Sequence, residues 1–302
     1  MEIVEKIREL KKKRNAVILV HNYQIPEVHD IGDYVGDSLG LSIEAAKTDA
    51  DVIVFCGVYF MAETAKILSP DKTVILPDKD AGCPMADMID AEQLRNLKNQ
   101  HPGAKVLCYV NTTAEVKAES DLCCTSANAV AMAEQVFKNE KEIIFVPDKY
   151  LADYVSEQTG RSLIAWNGYC PTHAKILPEE ILEKKRLHPK ARVIAHPECP
   201  RPIRHLSDCV MSTEGMCRYV KECPEEEIIV ATELGIIHRL QKENPGKTFY
   251  PVTDRTLCPN MKRITLEKVL WALEDMQHPV EVPAQTADKA REAIQKMLNT
   301  VE

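Results

Sequence analysis

The chain has 302 residues, of which 45% are hydrophobic and 28% are charged, and its formal net charge at pH 7 is −8. This composition is typical of a folded globular protein. The negative charge and the low aromatic content of 5% argue against a general nucleic-acid binder. An acidic protein can still bind small anions locally, at the N-termini of its helices.

The first segment, MEIVEKIRELKKKR, predicts a charged amphipathic helix with Ile3, Ile7 and Leu10 on one face. The apolar run AVILV that follows is far too short to span a membrane, and the pattern is not that of a secretory signal peptide. We therefore expect a cytoplasmic protein with no membrane partner. Its 11 cysteines are then expected to be metal-binding, catalytic or simply buried rather than disulfide-bonded.

Further along the chain a Cys-Pro dipeptide occurs three times, at Cys83, Cys170 and Cys258, with spacings of 87 and 88 residues. Other motifs recur at the same interval, among them those that begin at Asp33, Asp121 and Asp208. Registered repetition of this kind indicates an internal threefold repeat. It predicts three α/β units, followed by a C-terminal helical segment that closes the structure. The expected boundaries are 1–84, 85–171, 172–260 and 261–302.

The second unit shows the order of elements most clearly. AKVLCYV, EIIFV and SLIAW predict strands buried on both faces, and DLCCTSA is a further short apolar run. NAVAMAEQVF and DKYLADYVSEQTG predict helices, the second ending at Gly160. A new helix follows each Cys-Pro, with Asp90 and Thr265 as N-caps and Pro178 in the first turn. The fold class is therefore α/β, with three pseudo-threefold-related parallel-sheet αβα units around a central cluster.

Open parallel sheets bind ligands beyond the carboxyl ends of their strands. Polar residues follow the first strand of each unit at equivalent positions, and a hydroxyl follows each second strand. The strand-end set comprises His21, Tyr23, Tyr109, Asn111, His196 and Glu198, and the hydroxyl set comprises Ser38, Ser126 and Thr213. Three similar units would bring these residues together around the three Cys-Pro cysteines. Simple N-capping is an alternative role for Ser126 and Thr213.

Three thiolates without a fourth partner do not match a closed structural zinc site, which is usually four-coordinate. They match a [4Fe-4S] cluster with three cysteine ligands, Cys83, Cys170 and Cys258, and one open iron that can act as a Lewis acid. Proline fixes φ and removes a backbone donor, so each Cys-Pro predicts a stiff corner at a strand end. The other cysteines are expected to be inert filler: Cys56, Cys108, Cys123, Cys124, Cys199, Cys209, Cys217 and Cys223.

Nine motifs of the chain resemble those of the quinolinate synthase family, in order and over essentially the whole chain. They are HNYQIPEV, GDSL, FMAETAKIL, CPMA, YVNTTAE, TSANA, CPTH, HPEC and CPNMK. Three departures from the family pattern are present. Glu214 stands where a smaller or neutral residue is expected, and Tyr59 stands where an acid is common. The C-terminal C-x₂-C-x₂-C of some members is missing, so a thiol switch like theirs is not expected.

The resemblance implies condensation of iminoaspartate with dihydroxyacetone phosphate to quinolinate, phosphate and two waters, on the de novo route to NAD. It allows for transient contact with an enzyme that produces iminoaspartate. It implies that the three Cys-Pro cysteines are the cluster ligands and that Tyr23 is catalytic beside His21. The implied substrate contacts are His21, Ser38, Tyr109, Asn111, Ser126, His196, Glu198 and Thr213. Among the strand-end residues we expect Glu198 and Tyr23 to transfer protons, with His21, Tyr109 and His196 as further catalytic candidates.

Three other functions stay open on the sequence. A reductase resembling 4-hydroxy-3-methylbut-2-enyl diphosphate reductase also sets three dispersed cysteines in three α/β lobes, but it needs electrons. An enzyme resembling those that form diphthamide would act on a protein and on S-adenosylmethionine. A zinc-stabilised scaffold without activity is the third possibility, and metal analysis separates it from the iron-sulfur hypotheses.

Overall fold

The computed structural model describes residues 2–300, which form three four-stranded sheets with parallel pairing between all neighbouring strands. The strands of the first sheet are β1 Ala16–His21, β2 Tyr34–Gly36, β3 Val52–Cys56 and β4 Thr73–Ile75. The helices around it are α1 Glu2–Lys13, α2 Pro26–His29, α3 Ser38–Lys47 and α4 Tyr59–Leu68.

The second and third sheets repeat this succession of elements. The second has β5 Lys105–Tyr109, β6 Leu122–Cys124, β7 Ile143–Val146 and β8 Ile164–Ala165, with α5 Ala91–Gln100, α6 Ala114–Ala118, α7 Ala129–Ala131 and α8 Lys149–Thr159. The third has β9 Arg192–Ala195, β10 Cys209–Val210, β11 Glu227–Ala231 and β12 Thr248–Pro251, with α9 Pro178–Leu187, α10 Arg201–Leu206, α11 Thr213–Glu222 and α12 Ile236–Glu243. Two more helices follow, α13 Leu266–Asp275 and α14 Ala284–Thr300.

The strand order is the same in all three sheets. It runs β2-β1-β3-β4, then β6-β5-β7-β8, then β10-β9-β11-β12, so the first and third strands of each unit are always central. Those central strands are almost completely buried, because helices cover both faces of the sheet. The predicted fold class, with three parallel-sheet αβα units, is confirmed. The unit boundaries themselves stay a prediction.

The element predictions for the second unit agree with the structure, with one refinement. NAVAMAEQVF is helical, but α7 lasts only three residues and continues as a π-helical turn over Met132–Val136. Helix α8 ends where Gly160 adopts a left-handed conformation with φ 68°, as the glycine predicted. Asp90 and Thr265 cap α5 and α13 by accepting main-chain N–H groups, and Pro178 lies in the first turn of α9.

One aspartate holds the first two strands of each sheet together. The residues at the start of the repeated motifs, Asp33, Asp121 and Asp208, use a side-chain oxygen to accept a main-chain N–H of the first strand. The donors are Ile18, Val106 and Val193, at 2.8, 2.9 and 2.8 Å. The N–H of each aspartate returns a hydrogen bond to the carbonyl of the same residue. The repeat therefore preserves a local clamp as well as the cysteines.

We predict that Asp208→Ala lowers the free energy of unfolding by about 1–2 kcal/mol, because it removes the charged acceptor of the main-chain N–H of the buried Val193. Denaturant unfolding of the purified protein measures this change. The control is Asp71→Ala, since Asp71 is exposed and its side chain has no hydrogen-bond partner within residues 2–300. Equal stability of the two variants would contradict a clamping role for Asp208.

Candidate active site

The three Cys-Pro dipeptides adopt the same local structure. Each follows the last strand of its unit and leads into one short 3₁₀ turn, namely Ala86–Met88, His173–Lys175 or Met261–Arg263. In all three, the thiol accepts the main-chain N–H of the residue three positions later. The proline that follows each cysteine suits such a turn because its φ is fixed and it has no N–H to satisfy. The stiff corner predicted from the sequence is therefore present three times.

A second main-chain bond ties each cysteine loop to the third strand of its own sheet. The residue that follows this strand by three positions donates its N–H to the carbonyl two residues before the cysteine. The three bonds are Tyr59 to Ala81 at 2.8 Å, Lys149 to Gly168 at 2.9 Å and Leu234 to Thr256 at 3.0 Å. The cysteine positions thus depend on backbone contacts that the repeat reproduces, whatever side chains lie nearby.

Cys83, Cys170 and Cys258 line one cavity of about 170 Å³. On the same measure a single water needs about 10–15 Å³, so the cavity has room for a small molecule. Seven of the other eight cysteines are buried away from it, and the half-buried Cys209 does not line it. The assignment of those eight to packing is consistent with their positions.

The donor set fits a metal centre. Burial raises the pKa of all three cavity thiols, and that of Cys83 reaches about 12. Thiolates in such a place need positive charge nearby, which a bound metal supplies. In addition, ligand atoms of Cys170, His173 and Glu198 lie within 4.8 Å of one another. The cavity therefore contains residues that could hold a metal ion or a cluster.

All nine strand-end and hydroxyl residues expected from the sequence lie at this cavity: His21, Tyr23, Ser38, Tyr109, Asn111, Ser126, His196, Glu198 and Thr213. They come from all three sheets, so the carboxyl ends of equivalent strands converge on one space. What they do there stays a prediction.

Glu198 lies at the centre of the polar side of the cavity. Its Oε1 accepts the hydroxyl of Tyr109 at 2.5 Å and the amide of Asn111 at 3.5 Å. Its Oε2 lies 2.8 Å from Nδ1 of His173. Burial alone would raise the pKa of the Glu198 carboxyl, but His173 and the surrounding donors outweigh it and hold the pKa below its usual value. Glu198 is therefore an anion held by several donors.

The two strand-end histidines are neutral and have a defined tautomer. Burial lowers the pKa of His21 and of His196 to about 3. In each ring Nδ1 accepts a main-chain N–H, from Tyr23 at 3.1 Å and from Glu198 at 3.3 Å. A neutral imidazole that accepts at Nδ1 carries its proton on Nε2. Both histidines therefore present a donor at Nε2, and that of His196 lies 3.1 Å from the Ser126 hydroxyl.

Two residues that the sequence analysis missed connect Tyr23 to Glu198. The Tyr23 hydroxyl lies 2.6 Å from Thr232 Oγ1, which lies 2.8 Å from His173 Nε2. Nδ1 of His173 contacts Glu198 and lies 3.1 Å from the sulfur of Cys170. His173 stands in the quoted motif CPTH, but the repeat places Ala86 and Met261 at its equivalent positions. A search for repeated residues could not single it out.

A buried ion pair, also missed, supports the third cysteine loop. Glu233 is fully buried and accepts the main-chain N–H of Cys258 at 2.9 Å and that of Gly235 at 2.6 Å. Its counter-ion is Lys262, whose ammonium lies 2.9 Å away and also donates to the main-chain carbonyl of Tyr23. The pair links the Cys258 loop to the loop that carries Tyr23.

The hydroxyls Ser38 and Thr213 are not the N-caps of their helices. Asp37 caps α3 by accepting the N–H of Gly40, and Ser212 caps α11 by accepting the N–H of Gly215. Ser38 and Thr213 are the first residues of these helices, and Ser126 lies two residues before the Asn128 that precedes α7. Their hydroxyls are thus left for the cavity, and the capping alternative is wrong for Thr213.

The two residues that depart from the family pattern, Glu214 and Tyr59, lie outside the cavity lining. Glu214 forms an ion pair with Arg239 at 2.8 Å. Tyr59 begins α4 and is 39% exposed. Neither residue alters the set of side chains that face the cavity.

The fold and the cavity define a three-unit α/β protein with a central small-molecule site rich in thiol, imidazole, phenol and carboxyl groups, as in many enzymes. Residues 5–299 match the family model described as quinolinate synthetase A protein. The chain belongs to this family and is therefore an enzyme.

Curated relatives agree with the family match. The chain is 54% identical to the quinolinate synthase of Methanosarcina barkeri over 297 residues, which are 98% of this chain and 97% of the relative. It is also 54% identical, over 299 residues, to the quinolinate synthases of Dehalococcoides mccartyi strain CBDB1 and Thermodesulfovibrio yellowstonii, with 99% of this chain and 98% of each relative covered. These matches favour the quinolinate synthase hypothesis over the reductase, the diphthamide-forming enzyme and the inactive scaffold.

Among the helices of residues 2–300, none combines the length and the apolar character needed to cross a membrane.

We predict that Lys262→Met lowers the free energy of unfolding by about 3 kcal/mol, because it leaves the buried Glu233 carboxylate without its counter-ion. Denaturant unfolding under anaerobic conditions measures the loss. The double variant Lys262→Met, Glu233→Gln is the matched control, since it removes both charges and should recover part of the stability. A double variant as unstable as the sum of the two single variants would contradict a paired role for these charges.

Proposed function

We propose that this chain catalyses the condensation of iminoaspartate with dihydroxyacetone phosphate to quinolinate, phosphate and two waters, as a step in NAD biosynthesis. The observation that carries the proposal is the convergence of three equivalent Cys-Pro turns on one cavity, in a chain of this family. We further propose that Cys83, Cys170 and Cys258 hold a [4Fe-4S] cluster with one iron left open. When bound, the open iron supplies a Lewis acid that helps a hydroxide leave.

The hydroxyls and amide of the cavity are suited to bind the anionic groups of both substrates. Ser38, Ser126, Thr213 and Asn111 offer neutral donors, and His21 adds its Nε2 N–H, whereas the Nε2 N–H of His196 is directed to Ser126. Neutral donors in an enclosed space bind carboxylates and phosphates without requiring a cation for each charge. This would explain how an acidic protein binds two anionic substrates.

Proton transfer falls to the side chains, since making a pyridine ring from these substrates moves protons on carbon and on oxygen. The chain of contacts from Tyr23 through Thr232 and His173 to Glu198 offers a path between a phenol and a carboxylate. Burial raises the pKa of the Tyr23 phenol well above its ordinary value, so this group stays protonated and can donate. Glu198 stays ionised and can accept. We propose these two residues as the ends of the proton path.

The cluster proposal predicts the outcome of cysteine substitutions. Cys83→Ala, Cys170→Ala and Cys258→Ala should each abolish iron loading, because each removes one of three ligands. Iron and sulfide analysis of anaerobically purified protein measures this, with about four of each expected in the wild type. Cys56→Ala, Cys209→Ala and Cys223→Ala are the matched controls and should load iron normally. A Cys170→Ala protein with full iron content would refute the ligand assignment, and zinc in place of iron would refute the cluster.

The function itself is tested by turnover. Loaded enzyme should release quinolinate and phosphate in equal amounts from the two substrates, with no added reductant and with S-adenosylmethionine left intact. Dependence on a reductant would favour the reductase hypothesis, and consumption of S-adenosylmethionine would favour the diphthamide-forming one.

The proton-path proposal predicts that Glu198→Gln keeps the cluster and the fold yet loses about 10²-fold or more in turnover, because the base is gone while the shape remains. Tyr23→Phe should behave alike. Steady-state rates, together with iron content and the absorption spectrum of the cluster, measure both effects. Tyr150→Phe is the control, since the Tyr150 hydroxyl lies outside the cavity. Near-normal turnover by a loaded Glu198→Gln enzyme would make Glu198 a binding residue instead.

A further inference from the structure

One buried asparagine next to the cavity makes contacts that fix the direction of a neighbouring hydroxyl. Asn22 lies between His21 and Tyr23, is fully buried and does not itself line the cavity. Its Nδ2 is 2.9 Å from the hydroxyl oxygen of Thr213, which does line the cavity. Its Oδ1 is 2.8 Å from Nη1 of Arg239. The contacts join the loop after the first strand to two helices of the third unit.

The chemistry of the three groups leaves only one arrangement of hydrogens. A guanidinium can only donate, so the atom of Asn22 that faces Arg239 must be its oxygen. The amide nitrogen then faces Thr213 and can only donate to it. The Thr213 oxygen accepts, and no other protein group within residues 2–300 is hydrogen-bonded to it. The hydroxyl hydrogen of Thr213 is left to donate to whatever occupies the cavity.

Arg239 is well placed to keep this arrangement. Its guanidinium is 14% exposed and is held by Glu214 at 2.8 Å and by Glu243 at 2.7 Å. Glu214, one of the two residues that depart from the family pattern, therefore helps to hold Arg239 against Asn22 through its ion pair. A fixed arginine prevents the amide from flipping, because a flip would set two donors face to face.

The equivalent hydroxyl in the second unit, that of Ser126, also accepts a hydrogen bond from the protein, but the donor is a different kind of residue. Ser126 lies 87 residues before Thr213, and its oxygen is 3.1 Å from Nε2 of His196. That nitrogen carries the proton, since Nδ1 accepts the N–H of Glu198. Ser126 therefore also accepts from the protein and has its hydrogen free. At two positions related by the repeat, the hydroxyl oxygen thus accepts from the protein and its hydrogen is free, although the donors, His196 and Asn22, are different residue types.

We propose that Asn22 and Arg239 are positioning residues that fix the polarity of the Thr213 hydroxyl, so that this part of the cavity prefers acceptor groups, such as carboxylate or phosphate oxygens, to donor groups. The inference rests on the proposed function for the identity of the ligand. It adds two residues, neither of them in contact with the cavity, that determine specificity through a third.

The decisive variant is Asn22→Asp, which has nearly the same shape. The new carboxylate can still accept from Arg239, but it cannot donate to Thr213, so the hydroxyl turns its hydrogen towards the carboxylate and its lone pair towards the ligand. Affinities of anaerobically prepared, cluster-loaded protein are measured by calorimetry. The probes are quinolinate and its two mono-carboxamides, which replace one acceptor group with an amide donor. Thermal unfolding of every variant is recorded in parallel.

We expect Asn22→Asp to weaken quinolinate binding by about 10-fold or more, and to lower the preference for quinolinate over one of the carboxamides by a similar factor. A general packing defect would weaken all three ligands alike. In a Thr213→Val background, where there is no hydroxyl to orient, the same change should have little further effect. Glu243→Gln weakens an outer contact of Arg239 and an ion pair with Lys221 but leaves Asn22 and Thr213 in place, so it should change the affinity by less than about 2-fold.

An undiminished effect of Asn22→Asp in the Thr213→Val background would overturn the inference, because the added charge alone would then be the cause. The inference would also be overturned if Asn22→Asp had the same ratio of affinities for quinolinate and for each carboxamide as the wild-type protein. If Asn22→Asp does not fold, Arg239→Met tests the same idea: it should weaken quinolinate binding several-fold, and Arg239→Lys, which keeps a donor, should restore it. Equal affinities of these two variants would count against the inference. A wild-type protein that binds none of the probes would instead overturn the proposed function.

Discussion

The structure depends on presenting three sulfur atoms from distant parts of one chain to a single cavity. The side chains that support the cysteine loops differ among the three units, as with Glu233 beside Cys258, so they are not the shared means of positioning. The bond from the N–H of Tyr59, Lys149 or Leu234 to the carbonyl two residues before each cysteine uses only backbone atoms. Backbone groups must be satisfied when buried, so this contact is maintained whatever the sequence around it. The sheets serve to set three such contacts at equivalent places.

The repeated contacts position the three cysteines equivalently, whereas residues that differ among the three units give the cavity its distinct acid-base groups. The residue three positions after each cysteine is Ala86, His173 or Met261, and only the histidine can join a proton path. The buried acid Glu233 has its equivalent in Asp148, but the two make different contacts. Glu233 holds the Cys258 loop, whereas Asp148 caps α8. A scaffold with threefold repetition thus carries a site whose sides differ chemically.

The sequence allowed prediction of whatever the repeat preserves. The Cys-Pro corners and the nine cavity residues recur at intervals of 87 or 88 residues, the strands recur at similar intervals, and an open parallel sheet brings equivalent strand ends to one edge. His173, Thr232 and Glu233 were missed because the repeat does not reproduce their contacts, which join residues far apart in the sequence. Asn22 was passed over for a similar reason, since its role depends on Thr213 and Arg239, more than 190 residues away. The alternative of a capping role for Thr213 was one residue too late, because both Ser212 and Thr213 have the chemistry of a cap.

The short outer strands of the three sheets have a consequence for the protein in a crowded solution. An open sheet exposes unpaired N–H and C=O groups along both margins, and a long margin invites pairing with another chain. Here the outer strands have four residues at most and as few as two, as in β8 and β10, while the inner strands have four to six. Margins of this length offer a second molecule little to pair with, and that of β4 is already hydrogen-bonded to His278 and Val280. A fold with three separate open sheets can therefore resist intermolecular strand addition without closing any of them into a barrel.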